Sequence, residues 1–202
     1  GYDVDGNRTE TTDENLEGIE TSNGGEIITP VTQENLDEVF GEGNAEYDPQ
    51  TNTIIVKDDL YMEDSIVING DITIDLAGND IYGADGTETE IDAPPVILVK
   101  SDDVQIDIID SVGGGSINGG KGCNTSDSVA GKGGNVVDFS NTTGGDITVD
   151  NAELVGGHGG DSASNNGGKG GTAIAGNDIL VKNNGSLIGG DGGYSSIGNG
   201  GH

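Results

Sequence analysis

The sequence predicts an all-β chain of 202 residues, coiled as a parallel β-helix with three short strands per coil and one short N-terminal helix. Three observations predict this fold. Short segments rich in Ile, Val and Thr alternate with polar residues, as in strands that bury one face. The pattern recurs at intervals of 33 and 37 residues, the signature of a repeat architecture. Aromatic residues make up only 3% of the chain and Trp is absent, so ladders of aliphatic side chains must replace the large residues of an ordinary core.

The two ends of the chain differ in character, which suggests a division into two parts. Residues 1–28 are polar and acidic without periodicity, and we expect them to form a leader or linker. We expect the β-helix domain to span 29–202. The chain begins at Gly1 rather than Met, which is typical of a mature fragment whose targeting segment has been removed.

One helix is predicted at 33–40. Thr32 precedes it as the N-cap candidate, Glu34 lies in the first turn where the helix dipole favours an anion, and Gly41 stands just past the end. The apolar face consists of Leu36, Val39 and Phe40. Such a face can cover the open N-terminal coil, so we expect this helix to act as a cap against edge-to-edge pairing.

Strand segments follow the helix. Tight turns are predicted at 69–70 and 78–79, because each holds an Asn and a Gly side by side. The strand segments are 54–56, 65–68, 71–76, 96–99 and 104–108.

The second half, 115–202, is built from glycine-rich repeats. Each repeat opens on an aliphatic strand residue: Ile117, Leu154 or Leu187. A pair of glycines begins two residues after it. A second glycine block recurs at 131–134, 168–171 and 198–201, and two further short apolar strands follow each of its first two copies. Three strands per repeat bury too few side chains for one coil to be stable alone, so the coils must stack on each other.

Charge excludes several classes of function. The net charge is -30, and residues 1–110 hold 29 acids against 3 basic residues, whereas 111–202 hold 8 acids against 4 lysines. Nucleic-acid binding requires clustered Lys and Arg, so it is not expected. Docking on anionic membranes is disfavoured for the same reason, and membrane insertion is not expected because no stretch approaches about 18 apolar residues.

The single cysteine, Cys123, cannot form an intramolecular disulfide.

Two features carry a resemblance to a known family. Residues 72–81, with the sequence Ile-Thr-Ile-Asp-Leu-Ala-Gly-Asn-Asp-Ile, and the Gly-Gly-x-Gly-Gly loops resemble the pectate-lyase-like right-handed parallel β-helix proteins, in particular glycine-rich secreted surface proteins and adhesins of bacteria. The resemblance covers roughly residues 50–202. It implies a right-handed coil and an extracellular or cell-surface location. It does not identify a ligand, because this fold hosts lyases, hydrolases, adhesins and stalks alike.

Stacked repeats would place equivalent loop residues in rows. The predicted ligand-binding residues form two rows: Lys121, His158 and Asp191 in one, and Lys132, Lys169 and Asn199 in the other. Glycine backbones between them would allow close approach of a sugar or peptide, and lysines would suit an acidic group. The expected partner is therefore a carbohydrate or a host or cell-surface protein. The alternative is a solvated face on which His158 bridges Asp191.

No cofactor is expected, although a structural calcium ion remains an alternative. Residues 156–161 match the opening of the calcium-binding nonapeptide repeat, which works only when adjacent turns complete each oxygen shell. The copies here lie more than 30 residues apart. The aligned positions hold Asn124 and Tyr194 instead of Asp.

Catalysis is the less favoured function. Lyases of the resembling family use an Arg or Lys base, and the only arginine, Arg8, lies in the leader. An inverting hydrolase would need carboxylates about 6.5 to 9.5 Å apart, and the strands offer Asp75, Asp107 and Asp150. We therefore expect a non-catalytic, adhesin-like module. The alternatives are a polysaccharide-cleaving lyase or glycoside hydrolase and a passive structural stalk.

The end of the sequence gives one more expectation. The chain stops at His202, where the next strand of the repeat would begin. This predicts truncation of a longer protein, an open coil at the C-terminal end, and end-to-end self-association through it.

Overall fold

The computed structural model describes residues 19–176, 178–197 and 200–201. It is mostly β, with parallel sheets and one short helix. The helix, α1, spans Gln33–Phe40. The strands of the first sheet are β1 Glu20–Ser22, β5 Leu60–Met62, β8 Ile81–Tyr82, β11 Ser116–Asn118, β14 Glu153–Val155 and β17 Ser186–Ile188. Those of the second are β3 Ala45–Asp48, β4 Thr53–Val56, β7 Ile72–Asp75, β10 Gln105–Ile109, β13 Asp146–Asp150 and β16 Asp178–Lys182. Those of the third are β2 Gly25–Ile27, β6 Ile66–Ile68, β9 Ile97–Val99, β12 Val137–Asp138 and β15 Ile174–Ala175.

The chain visits the three sheets in rotation, and one passage through all three is called a circuit below. The last three circuits are β9–β10–β11, β12–β13–β14 and β15–β16–β17. Each strand pairs in parallel with the strand of the same sheet in the next circuit. Among the described strands the exception is β3, which pairs antiparallel with β4. The repeat interval in the sequence is thus the length of one circuit.

The core lies between the three sheets and consists of rows of aliphatic side chains. In the second sheet, the register aligns Ile54, Ile74, Ile108 and Val149, and each is fully buried. Burying one such side chain stabilises the fold by about 1.5 to 3 kcal/mol. The polar residues between them face outward, which is the alternation that predicted these strands. The predicted strand positions from residue 54 onward are confirmed to within a residue or two.

Helix α1 has the predicted bounds and caps. The Thr32 hydroxyl accepts a hydrogen bond from the Asn35 amide at 3.2 Å, and Gly41 ends the helix at φ 90°. Leu36 and Phe40 are fully buried in the core. The helix contacts β2 and β3, so its apolar face closes the N-terminal end of the core.

Several strands were not predicted. β1 and β2 lie inside the segment expected to be a leader, yet they pair in parallel with β5 and β6. The leader expectation therefore does not hold for residues 20–27, and residues 1–18 lie outside the described part. β3 and β5 were missed as well. β1, β2 and β5 have three residues each and β3 has four, too few for alternation to be evident before the partner strand is known.

Candidate functional site

Three glycine-rich segments, each of which follows a strand of the first sheet, form one hydrogen-bonded unit. We call it the glycine bundle: 119–135, 156–172, and the described residues of 189–201. In the middle segment the backbone amides follow a period of three. Those of Gly156, Gly159 and Ser162 donate to the next circuit at 2.8 to 2.9 Å. Those of Gly157, Gly160 and Ala163 donate to the preceding circuit at 2.9 to 3.0 Å. The period matches an extended threefold helix of the polyproline II type.

The glycines of the bundle are required because the backbones touch. A Cβ on Gly131 would lie 1.6 Å from the Ile91 carbonyl oxygen, and one on Gly120 would lie 1.7 Å from that of Ala84. Their amides are also engaged: the Gly131 amide donates to the Cys123 carbonyl at 2.9 Å. Amides that donate within the bundle are not free to donate to a ligand, so the side chains between the glycine pairs are the groups left to contact one.

The first predicted row is present in the backbone register. The Gly122 amide donates to the His158 carbonyl at 2.9 Å, and the Gly159 amide donates to the Asp191 carbonyl at 2.8 Å. These bonds bring Lys121, His158 and Asp191 onto successive circuits. Asp85 begins the same row, because the Gly86 amide donates to the Lys121 carbonyl at 2.7 Å.

The second row begins at Asp92. The Ala93 amide donates to the Lys132 carbonyl, and the Gly133 amide to the Lys169 carbonyl, both at 2.9 Å. Asn199, the predicted third member, lies outside the described residues. Sequence reasoning missed Asp85 and Asp92. Asp85 follows Ile81 by four residues, just as Lys121 follows Ile117, and that spacing was the available signal.

Some polar side chains in and beside these rows complete the backbone. A carboxylate or amide oxygen on one circuit accepts the amide of the residue that lies next in the row. Asp85 accepts from Lys121 and Asp92 from Lys132, each at 2.7 Å, and Asn124 accepts from Asp161 at 2.7 Å. A lysine ammonium has no lone pair and cannot take this role. The lysines of the rows therefore do not complete the backbone in this way.

The three lysines of the predicted site have different surroundings. Lys121 forms an ion pair with Asp161 at 3.4 Å. Lys132 donates to the Asn135 side-chain oxygen at 3.1 Å, and Asn135 in turn donates to Asp138 at 2.9 Å. The Lys169 side chain is exposed, and within the part of the chain that the structure describes its ammonium has no hydrogen-bond or ion-pair partner.

Asp138 anchors the network around Lys132. Burial alone raises the pKa of its carboxyl. Hydrogen bonds from Ser140 and Asn135, together with the charge of Lys132, outweigh burial and hold that pKa below its usual value. Asp138 thus remains ionised at neutral pH and keeps Asn135 and Lys132 oriented.

Lys132 and Lys169 border a cleft of about 440 Å³. Asp92 and Val129 line it together with glycine backbone, including Gly168 and Gly201. Val129 is 49% exposed, which adds an apolar contact beside the two ammonium groups. The cleft can accept a small anionic group with an apolar face next to it.

His158 and Asp191 form a weaker pair on the other row. The His158 Nδ1 lies 3.8 Å from the Asp191 carboxylate and accepts a hydrogen bond from the Asp191 amide at 3.3 Å. Both side chains are largely exposed, and an exposed pair of this kind contributes little to stability. Because Nδ1 accepts that hydrogen bond, His158 contacts Asp191 through the Asp191 amide rather than through its carboxylate.

Cys123 is a free thiol beside the first row. Burial raises its pKa, and the negative charges of Glu88 and Asp85 raise it further. Its thiol donates to the Asn124 carbonyl at 3.3 Å. The raised pKa leaves little of the reactive thiolate at neutral pH.

The structure also shows where the side chains considered for metal binding and catalysis lie. Among the described residues, no three His, Cys, Asp or Glu side chains are grouped closely enough to hold a metal ion. Asp75 and Asp150 share one row with Ile109 between them, whereas Asp107 lies in a different row. Asp75 accepts the amides of Ala77 and Ser111 at 2.9 Å, which is the role of a turn residue.

Comparisons with protein-family models, with curated proteins and with solved structures find no match to this chain. In the described part of the chain, no helix has the length and apolar character needed to cross a membrane.

Proposed function

We propose that this chain is a non-catalytic, adhesin-like module of a secreted or cell-surface bacterial protein, and that it binds an acidic carbohydrate through Lys169 and Lys132. We further propose that it folds as a right-handed parallel β-helix. The rotation of the chain through three parallel sheets supports the β-helix, and the family resemblance of residues 72–81 supports the hand.

The observation that carries the proposed function is the exposed ammonium of Lys169. In a chain of net charge -30 most cations are expected to find an acidic neighbour. Lys169 forms no ion pair within the described residues, and it borders a cleft of about 440 Å³ that Lys132 and Asp92 also line. A carboxylate or sulfate of a sugar is an anion of suitable size for the cleft.

The lower charge of the glycine-rich half also favours this site. Residues 111–202 carry 8 acids against 4 lysines, whereas the first 110 residues carry 29 acids against 3 basic residues. An anionic glycan that approaches the bundle therefore meets far less repulsion than it would elsewhere. Screening at physiological ionic strength limits the remaining repulsion to about 8 Å.

A glycan array that pairs each acidic sugar with its neutral counterpart tests the proposal. We expect binding to acidic members only, lost in Lys169→Ala and reduced in Lys132→Ala. Lys100→Ala is the matched control, because Lys100 is exposed and lies outside the bundle. Binding that survives Lys169→Ala would refute the site.

The remaining outcomes discriminate between the alternatives. An array with no binding would refute carbohydrate recognition, and capture of a defined surface protein through Lys169 would then indicate a protein ligand. Release of sugar fragments from a bound polysaccharide would refute the non-catalytic assignment. If no ligand of either kind is found, the passive structural stalk is the remaining alternative.

A further inference from the structure

Two tyrosines lie next to each other on the outward side of the first sheet. The parallel register of β5 and β8 aligns Tyr61 with Tyr82, and both residues are half-buried. Leu60 and Ile81, which precede them, are fully buried, so the alternation of side chains directs both tyrosines away from the core. Adjacent strands lie about 4.8 Å apart, a separation at which aromatic rings contact each other. We call Tyr61 and Tyr82 the tyrosine pair.

The hydroxyl group of each tyrosine is held by a neighbouring residue. The Tyr82 hydroxyl donates to the Asp80 carboxylate at 3.3 Å. The Tyr61 hydroxyl accepts the Asp85 amide at 3.4 Å. These bonds limit the rotation of both rings, so the surface that a ligand would contact is formed before binding.

The polar groups beside the tyrosine pair are carboxylates. Asp59 and Asp80 each lie two residues before one of the tyrosines, on the same side of the sheet. One oxygen of Asp59 accepts the Asp80 amide at 2.8 Å, and one oxygen of Asp80 accepts the Ser116 hydroxyl at 2.7 Å. Among the described residues neither carboxylate forms an ion pair, and the strands of the first sheet contain no Lys or Arg. The face therefore combines two aromatic rings with negative charge that no neighbouring cation balances.

This combination fits a guanidinium group. A guanidinium donates up to five hydrogen bonds, accepts none, and stacks on aromatic faces. Its attraction to a ring adds to its attraction to the carboxylates. Residues 1–110 carry 29 acids against 3 basic residues, so this half of the chain attracts a cationic partner. A neutral sugar could also stack on the rings, but it would gain nothing from the charge.

We propose that the tyrosine pair is a docking surface for an arginine-rich segment of a partner protein, whose guanidinium groups stack on the two rings and pair with Asp59 and Asp80. The surface does not include Lys132 or Lys169. The proposal is therefore independent of the proposed carbohydrate site.

Fluorescence anisotropy with a labelled hexa-arginine peptide and the 202-residue chain, at physiological ionic strength, tests the proposal. We expect saturable binding. Tyr61→Leu combined with Tyr82→Leu removes both rings at unchanged net charge, so it should raise Kd about tenfold. Tyr194→Leu is the matched control, because Tyr194 is 70% exposed and lies in the glycine bundle. It should leave Kd within about twofold. Far-UV circular dichroism verifies that each variant is folded.

A charge variant keeps the test decisive if the double variant does not fold. Asp59→Asn retains the acceptor for the Asp80 amide but removes one charge beside the rings, so Kd should rise about fivefold. Glu42→Gln removes the same charge at an exposed site outside the first sheet, and its effect should stay below about twofold. A hexa-lysine peptide should bind several-fold more weakly than hexa-arginine, because an ammonium lacks the planar group that stacks on a ring.

Three results would overturn the proposal. The first is unchanged affinity in the folded double variant, since net charge alone would then explain binding. The second is an equal effect of Asp59→Asn and Glu42→Gln. The third is the absence of hexa-arginine binding, including the case in which the tyrosine pair binds a neutral oligosaccharide instead.

Discussion

The glycine bundle gives the sharpest test of the fold, through the substitution Gly157→Ala. A Cβ on Gly157 would lie 1.9 Å from the Gly120 carbonyl oxygen and 2.8 Å from the Gly134 amide nitrogen. Both neighbours are backbone atoms of other segments of the bundle. They cannot rotate away as a side chain would, so the segments themselves must separate.

The cost can be worked from this geometry. To reach an ordinary van der Waals contact, the Cβ and the oxygen must move apart by roughly 1.5 Å. The Gly157 amide now donates to Gly134 at 2.9 Å, and the Gly171 amide donates to Gly157 at 2.7 Å. A shift of that size breaks one or both bonds, at about 1 kcal/mol each, and adds about 1 to 3 kcal/mol of strain. The smaller entropy of the unfolded alanine variant offsets about 0.4 to 1 kcal/mol.

We therefore expect Gly157→Ala to lower the free energy of unfolding by about 3 kcal/mol, or Tm by about 6 to 12 °C. Urea unfolding followed by far-UV circular dichroism measures the change. The matched control is Gly189→Ala, because a Cβ there would meet nothing closer than the Gly171 carbonyl oxygen at 4.0 Å. That control should lie within about 0.5 kcal/mol of wild type. If the two variants unfolded at the same urea concentration, the packing argument would be refuted.

Three further predictions follow from backbone conformation and charge. Ala77 has φ 50°, a left-handed conformation that disfavours a Cβ, so Ala77→Gly should stabilise the chain by about 0.5 to 1 kcal/mol in thermal unfolding. Asp110 is 2% exposed and accepts four backbone amides, those of Gly78, Val112, Gly113 and Gly115. Asp110→Asn should therefore cost about 2 kcal/mol at pH 7, because an amide NH₂ cannot accept from all of them. Because the net charge is -30, Tm should rise between low and physiological salt as self-repulsion is screened.

The Asp110 prediction has a definite pH dependence. Burial raises the pKa of this carboxyl, but the four amide hydrogen bonds outweigh burial and bring it below the ordinary value of 3.8. A carboxyl with a depressed pKa in the folded state stabilises the fold above its unfolded pKa and loses that contribution as pH falls through the folded pKa. The gap between wild type and Asp110→Asn should therefore be full at pH 7 and shrink below about pH 4.

For each of these predictions a control or a definite outcome can contradict the physical reason given. Ala163→Gly, at an ordinary φ, should destabilise, and the same sign for Ala77→Gly would contradict the strain argument. Asp107→Asn should be nearly neutral, because Asp107 accepts from a side-chain amide, that of Gln105, at 3.1 Å. A gap at Asp110 that stayed constant down to pH 2 would contradict the linkage. A Tm independent of salt would contradict the role of self-repulsion.

The local sequence determined those helices and strands that are specified by residues close together in the chain. Thr32 and Gly41 fix the ends of α1 because capping involves only neighbouring residues. Alternation of Ile and Val with polar residues located most strands after residue 54, since one face of each strand must be buried. The interval from Ile117 to Leu154 and Leu187 aligned the last circuits, because the register of stacked strands follows the repeat.

The tertiary structure decided the strands and side-chain contacts that depend on residues far apart in the sequence. β1 and β2 are strands because β5 and β6 pair with them, and a three-residue segment carries no such information alone. The glycine-rich loops were expected to allow close approach of a sugar or peptide, whereas the three-dimensional packing engages many of their amides in hydrogen bonds between circuits. The same packing separates the roles of the lysines: Lys121 meets Asp161 and Lys132 meets Asn135, while Lys169 faces the cleft. Such contacts form only when the circuits stack, so spacing along the chain cannot specify them.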